Sequence, residues 1–335
     1  MAGDAGSLEE LLTGLRAVAE PSRLRLLAIC AQGEWTVSEL TQVMAQSQPR
    51  ISRHLRVLAE ARLLERFREG SWVFYRRTQH GEGARLARLL VRLLPEDDPA
   101  LRLDGQRLAS VRETRRRLAE RFFDGSARRW DSERDLGVDG AAVEAALEAL
   151  FADIRPDSLL DIGTGTGRIL QVLAPHIGSG LGIDLSHDML AVARANLDRR
   201  LARNCQVRHG DMYQLPAQDG SFAAVTLHQV LHFADDPLAV LAEARRVLRP
   251  GGHLVVVDLA HHELEALRTE KRHRRLGFPD AEMLDWLAGL GFEAPPPRRF
   301  PGQDLNVVLW AARRLPHATT DASPEQGPID RRDAA

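Results

Sequence analysis

Lysine is almost missing from this chain, cysteine nearly so, and no apolar run approaches the length of a membrane span. Each scarcity removes a class of function. Lys271 is the only lysine, so the basic charge is arginine's. Cys30 and Cys205 are the only cysteines and lie far apart, which leaves nothing from which to build a disulfide framework or a thiolate metal cluster. Both read as small buried apolar residues. A bilayer span needs roughly 18 consecutive apolar residues, so no membrane partner is expected. The opening MAGDAGSLEELL has neither the basic start nor the apolar stretch of a secretory signal, and the expectation is a cytoplasmic protein.

What is present suits two ordinary cores: 335 residues, of which 44% are hydrophobic and 27% charged. The net charge of -2 hides an asymmetry, because residues 50–92 hold eleven arginines against four glutamates and no aspartate. Such a stretch attracts a polyanion. Arginine in place of lysine, with abundant alanine, is also what a GC-rich genome produces, so position must decide.

Position favours a DNA reader. Ser7 with Glu10 forms a capping box that opens a helix to about Glu20, and Pro21 starts a second helix, PSRLRLLAICAQG, ended by Gly33. TVSELTQVM sets Val37, Leu40 and Val43 at helical spacing, and after a short break PRISRHLRVLAEARLLE buries Ile51, Leu55 and Leu58. That stripe leaves Gln48, Arg50, Ser52, Arg53, His54 and Arg56 on or near the outer, N-terminal half of the helix, where such side chains suit phosphates and base edges. LLERFREGSWVFYRRT then reads as two strands about a turn at Glu69-Gly70-Ser71, with Arg68 and Ser71 at the tip of a wing. The order of elements is a helix-turn-helix followed by a wing, and the expected partner is double-stranded operator DNA.

Over about residues 8–95 these motifs resemble the ArsR/SmtB family of winged-helix repressors. The resemblance implies a homodimer that leaves its operator when an inducer binds. GARLARLLVRLL would supply part of the dimer helix, with Leu86, Leu89, Leu90 and Leu93 on one face. The metal sensors of that family use a Cys-x-Cys pair before the recognition helix or Asp and His ligands in the dimer helix, and TVSELTQVM and residues 83–94 offer neither. No metal is expected, and the inducer must be read elsewhere.

A connector follows. PEDDPALRLDGQRLASVRETRRRLAERFF starts with a Pro and acid cluster that can cap a helix and runs with few breakers to Phe123. It either transmits strain or only spaces what it joins. Trp130, in DGSARRWDSERD, is either part of a lid or an anchor for the linker.

From SLLDIG onward, strand and helix patterns alternate, which implies a mostly parallel sheet covered by helices, with ligands outside the carboxyl ends of the strands. DIGTGTGRIL places Gly163, Gly165 and Gly167 at such an end, where a missing Cβ permits a sharp turn and close approach to a ligand. A dinucleotide fingerprint needs its third glycine where Arg168 stands. Asp161 suits a cationic group rather than a pyrophosphate, and Asp184, ending the next strand, suits ribose hydroxyls.

LLDIGTGTG, GIDLS, HGDMYQLP and LRPGGHLVVVD, in that order, resemble the class I S-adenosylmethionine-dependent methyltransferases over about residues 120–313. The resemblance implies a Rossmann-like fold and S-adenosylmethionine or S-adenosylhomocysteine as ligand. Gly163, Gly165 and Gly167 would line its methionyl and ribose portion, and Asp184 would hold the ribose. Leu185 would pack on adenine, Asp211 would accept from the adenine amino group, and Met212 would offer its backbone N–H. His228 is the leading candidate for a base or acceptor-facing residue and His232 the second, each weighed against a hydrogen-bonded rim histidine. His261, His262, His273, Arg274 and Arg275 lie in an insertion where such enzymes build acceptor pockets; against metal binding by these histidines, HRR reads more simply as an exposed polar face.

The expected organisation is an α/β multidomain chain. A winged helix-turn-helix at 1–95 is followed by a helical linker at 96–131, a methyltransferase-fold domain at 132–314 and a disordered tail at 315–335. Two functions stay open: a regulator that senses the cofactor or its product, and a methyltransferase of a small acceptor that controls its own operon. Only differential affinity for two conformations is needed for the first, whereas the second also needs an acceptor site.

Overall fold

The computed structural model describes residues 7–69, 72–78, 81–95, 97–122, 140–200, 202–267 and 273–316. Trp130, Ser71 and residues 317–335 lie outside these. Helix α1 (Leu8–Val18) begins as the capping box requires: Ser7 Oγ accepts the Glu10 N–H at 3.1 Å and the Glu10 carboxylate accepts the Ser7 N–H at 3.1 Å. Helix α2 (Pro21–Cys30) starts on Pro21, and after the short strand β1 (Trp35–Thr36) a second capping box, Thr36 with Glu39, opens α3 (Val37–Met44). Helix α4 (Gln48–Glu60) turns Ile51, Leu55 and Leu58 into the core beside the fully buried Trp35. Strands β2 (Leu64–Glu69) and β3 (Trp72–Arg77) pair antiparallel with Glu69 opposite Trp72, and β1 joins the outer edge of β3. This is a winged helix-turn-helix.

Helix α5 (Gly81–Arg92) differs from expectation in which residues it buries. Ala84 and Ala87 face their own core, while Leu89 and Leu93 point outward, Leu93 79% exposed. Leu8, Leu11, Leu12 and Leu15 of the neighbouring α1 are exposed as well. Helix α6 (Pro99–Phe122) is the connector; Asp98 caps it by accepting the N–H groups of Ala100 and Leu101 at 2.8 and 3.1 Å.

The second sheet runs β10-β11-β8-β7-β4-β5-β6, with β9 also on β11. Its members are β4 (Ser158–Ile162), β5 (Ser179–Asp184), β6 (Cys205–His209), β7 (Phe222–His228), β8 (Leu248–Leu259), β9 (Phe292–Glu293), β10 (Arg298–Phe300) and β11 (Val307–Arg314). From β6 to β8 all pairs are parallel, and β11 closes the sheet antiparallel. Helices α7 (Gly140–Ile154), α8 (Arg168–Leu173), α9 (His187–Arg199), α10 (Pro237–Val247) and α11 (Asp280–Gly289) cover its faces. Alternation along each strand feeds two apolar cores: Leu159 joins Phe151, Leu170 and Leu190, whereas Leu160 joins Val240, Leu241 and Trp310. The chain walks outward from β4 to β6 and returns to β7, beside β4, so the topological switch point lies between β4 and β7. No described helix is long and apolar enough to cross a membrane.

Candidate cofactor pocket and nucleic-acid interface

The glycine loop leaves β4 at that switch point. Gly163, Gly165 and Gly167 all have left-handed backbones, with φ of 68°, 52° and 73°. A Cβ on Gly163 would lie 2.2 Å from Val230 Cγ2, just past β7, so the two strand ends close on each other only because the glycine is bare. Gly167 caps α8, and a Cβ there would press on Ala193 of α9. Asp161 is buried beneath the loop and fixes it: one oxygen accepts from Thr164 Oγ1 at 2.6 Å and the other from Thr226 Oγ1 at 2.7 Å.

Asp184 ends β5 facing the loop. Its oxygens accept the N–H groups of Gly165 and Ser186, each at 2.8 Å. Burial pushes its carboxyl above the ordinary value, against the pull of those N–H groups. A desolvated acceptor with lone pairs left over fits a ligand that offers hydroxyl donors. Leu185 stands 66% exposed beside it, and Asp211 presents an exposed carboxylate across the rim while accepting the Tyr213 N–H at 2.9 Å. Met212 is half-buried against the core. Asp184, Leu185, Asp211 and Met212 thus follow one another along the carboxyl ends of β5 and β6.

On the other side of the switch point, the chain leaves β7 through His228 and Gln229, whose φ of 52° is unusual for a side chain with a Cβ. The short turn that follows is locked by Asp258 of β8, fully buried, which accepts the N–H groups of Leu231 and His232 and lies 2.6 Å from His232 Nδ1. Burial pushes Asp258 up, but His232 and the N–H groups around it hold it below the usual carboxylate value. The carboxylate thus orients the imidazole, the arrangement that sequence alone had ranked second to His228. His273 corrects an expectation: it is no exposed polar face but a buried ring 4.2 Å from that of His232. Arg274 does lie outside, 3.1 Å from Asp235, and Arg275 pairs with Glu282. His261 and His262 help line a separate cavity of about 500 Å³.

In the first sheet's domain, Gln48, Arg50, Arg53 and Arg56 are exposed on α4 and Ser52 is half-buried between them. His54 turns back towards Glu20, its Nδ1 at 3.7 Å and its side chain 13% exposed. Arg68 is exposed on β2.

Residues 20–66 match the model of the bacterial regulatory protein arsR family, and residues 160–256 match that of the methyltransferase domain. The chain joins an arsR-family domain to a methyltransferase domain. An arsenite methyltransferase of Aquipseudomonas alcaligenes is 40% identical over 150 residues, 36% of this chain and 43% of that protein. A demethylmenaquinone methyltransferase of Thermotoga maritima is 34% identical over 147 residues, 42% of this chain and 61% of that one. Among solved structures, an S-adenosylmethionine-dependent methyltransferase of Mesorhizobium loti aligns with a TM-score of 0.45 at 22% identity, covering 53% of this chain and all of its own. The chain spans less than two thirds of the length of these curated relatives. The methyltransferase domain has the S-adenosylmethionine-dependent fold.

Sequence reasoning missed how the two domains meet. Arg194 of α9, in the methyltransferase domain, donates from Nη2 to both carboxylate oxygens of Glu69 at 2.6 and 2.7 Å and from Nε to Glu34 at 3.2 Å. Its guanidinium lies 4.2 Å above the Phe74 ring. Glu69, at the wing's end, is only 3% exposed and also accepts the N–H of His209, the last residue of β6. Arg208 reaches Glu65 on the same wing face at 3.3 Å, and Arg76 joins Glu65 to Glu34. Connector helix α6 adds Arg115, which pairs with Glu39 of α3 and with Asp198 of α9.

Proposed function

We propose that the protein is a DNA-binding transcriptional regulator whose methyltransferase domain takes S-adenosylmethionine or S-adenosylhomocysteine as the regulatory ligand. The observation that carries this reading is Asp184: a desolvated carboxylate, fixed by two backbone N–H groups, opposite a left-handed glycine loop in which Gly163 has no room for a Cβ, in the same chain as an exposed arginine-bearing recognition helix. Gly163, Gly165 and Gly167 would hold the methionyl and ribose portion and Asp184 the ribose hydroxyls, with Leu185, Asp211 and Met212 at the adenine. Gln48, Arg50, Ser52, Arg53 and Arg56 would meet the operator, with His54 behind them, while Arg68 and Ser71 would reach it from the wing. The outward leucines of α1 and α5 suit a homodimer, as in the arsR family, and the setting is cytoplasmic.

Two linked titrations test it. Asp184→Ala should weaken binding of S-adenosylhomocysteine on the order of 100-fold or more by calorimetry, since charge-assisted hydrogen bonds are each worth about 1.5–3 kcal/mol. Unchanged affinity would sink the assignment. With the duplex upstream of its own coding sequence as probe, either ligand should shift the DNA-binding curve of the wild-type protein but not of the Asp184→Ala variant.

The oriented pair His232–Asp258 favours a second reading, methyl transfer to a small acceptor. S-adenosylmethionine supplies a methyl group already activated on sulfur, and the chain need only orient the acceptor and take its proton, for which His232 is the candidate. The similarity to an arsenite methyltransferase does not extend to the thiols a metalloid would need. Cys30 lies in the winged-helix core, and burial pushes the Cys205 thiol up to about 12. Ligand-dependent DNA release without turnover favours the sensor; turnover lost in His232→Gln favours the enzyme.

A further inference from the structure

Helix α9 touches both the glycine loop and the wing. Ala193 packs under Gly167, Asn196 donates to the Thr166 carbonyl at 3.0 Å, and between them Arg194 holds Glu69 and Glu34. The N-terminus of α9 is tied to the pocket as well: Ser186, whose N–H is held by Asp184, caps the helix through the Met189 N–H. A second route runs through β6. His209 pairs with Asp184 across the sheet, its ring stacks on that of His187 at 4.3 Å, and its N–H goes to Glu69.

The wing itself is two-faced. Glu65, Phe67 and Glu69 alternate onto the side covered by the methyltransferase domain, where Arg76 and Arg208 lie over the Phe67 ring. Arg66 and Arg68 alternate onto the other side and are exposed. The back of the wing is therefore braced by the methyltransferase domain, and its two exposed arginines lie on the opposite face.

We infer that the wing is the element through which the cofactor pocket acts on DNA binding, and that Glu69 with Arg194 is the coupling contact. This rests on the sensor reading above and adds to it where the signal travels. A ligand that draws on Asp184 and the glycine loop changes the seating of α9 and of the end of β6, and both hold the same glutamate. A shift there tilts a buried charge cluster, which has discrete pairings rather than a continuum of them, so the wing moves with it. Linkage makes the coupling reciprocal: DNA bound at the wing must change ligand affinity by the same factor as the ligand changes affinity for DNA.

The test uses the full-length chain and S-adenosylhomocysteine as probe, with Glu69→Gln, which keeps the shape of the side chain but removes its charge, and Arg194→Lys, which keeps the charge but cannot span both glutamates. Calorimetry gives the affinity, and hydrogen exchange followed by mass spectrometry reads peptides of β2 and β3 with and without ligand. The expected result is that ligand changes exchange in the wing of the wild-type protein, that both variants lose this response, and that their affinity departs from wild type by about fivefold or more. Wild-type binding with no response in the wing, and equal affinity in both variants, overturns the coupling and leaves the sensor reading standing. No binding to the wild-type protein overturns the sensor reading itself, and the coupling with it.

Discussion

The recognition helix and the wing are neighbours in sequence and equally rich in arginine, yet their charges face different partners. On α4, Arg50, Arg53 and Arg56 stand in solvent with no carboxylate until Glu60. On the wing, arginine alternates with glutamate, and the glutamate face is covered by a second domain. Arginine density is therefore not in itself a footprint for a polyanion; what matters is where the carboxylates fall relative to it. Among the arginines of residues 50–92, Arg50, Arg53 and Arg56 stay exposed on α4, whereas Arg76 is spent inside the protein on Glu34 and Glu65.

The sharpest way to break that comparison is to remove the cation on which the wing rests. Arg194→Met should lower stability by about 3–5 kcal/mol in urea unfolding, because Glu69 would be left buried without its cation and Glu34 with Arg76 alone. A loss below about 1 kcal/mol would mean that the contact is superficial and that the wing is as free as α4. Next in size is Arg53→Ala, expected to cost about 1–3 kcal/mol in gel shifts on the upstream duplex, with relaxed preference at one base position. Binding equal to wild type would take that residue out of the interface. The smallest effect belongs to Arg66→Ala on the wing's open face. It should weaken all duplexes alike and reduce the slope of log affinity against log salt by about one. A sequence-dependent loss would instead make the wing a base reader.

How much of this the residues announced depends on how local the signal is. The Ser7–Glu10 capping box, the Ile51, Leu55 and Leu58 stripe, the glycine loop and Asp184 are set by spacings of a few residues, and each stands where the pattern puts it. The division of the α5 leucines was less legible, since a stripe does not say that Leu86 and Leu90 will lean on their own core while Leu89 stays outside. Asp258 gave no warning because its partner, His232, is brought to it by the pairing of β7 with β8 rather than by sequence proximity. His273 misled for the same reason: HRR reads as a polar surface until one ring finds a second ring to lie against. Arg194 is the most instructive. It sits in AVARANL among buried residues of α9, a cation on an apolar face, and LERFRE puts two glutamates on one side of a strand. Either oddity alone looks like a solvated charge, and only the fold joins them.

The outer strand β6 carries one more consequence. An uncovered strand edge offers unpaired N–H groups as a template for other strands, which is how sheets come to aggregate. Here the N–H of His209 at that edge is stopped by a carboxylate from the other domain. Fusion to the arsR-family domain thus supplies a gatekeeper that a free-standing methyltransferase would need in its own sequence. A chain divided at the connector is therefore expected to bare that edge together with Arg194 stripped of its carboxylates.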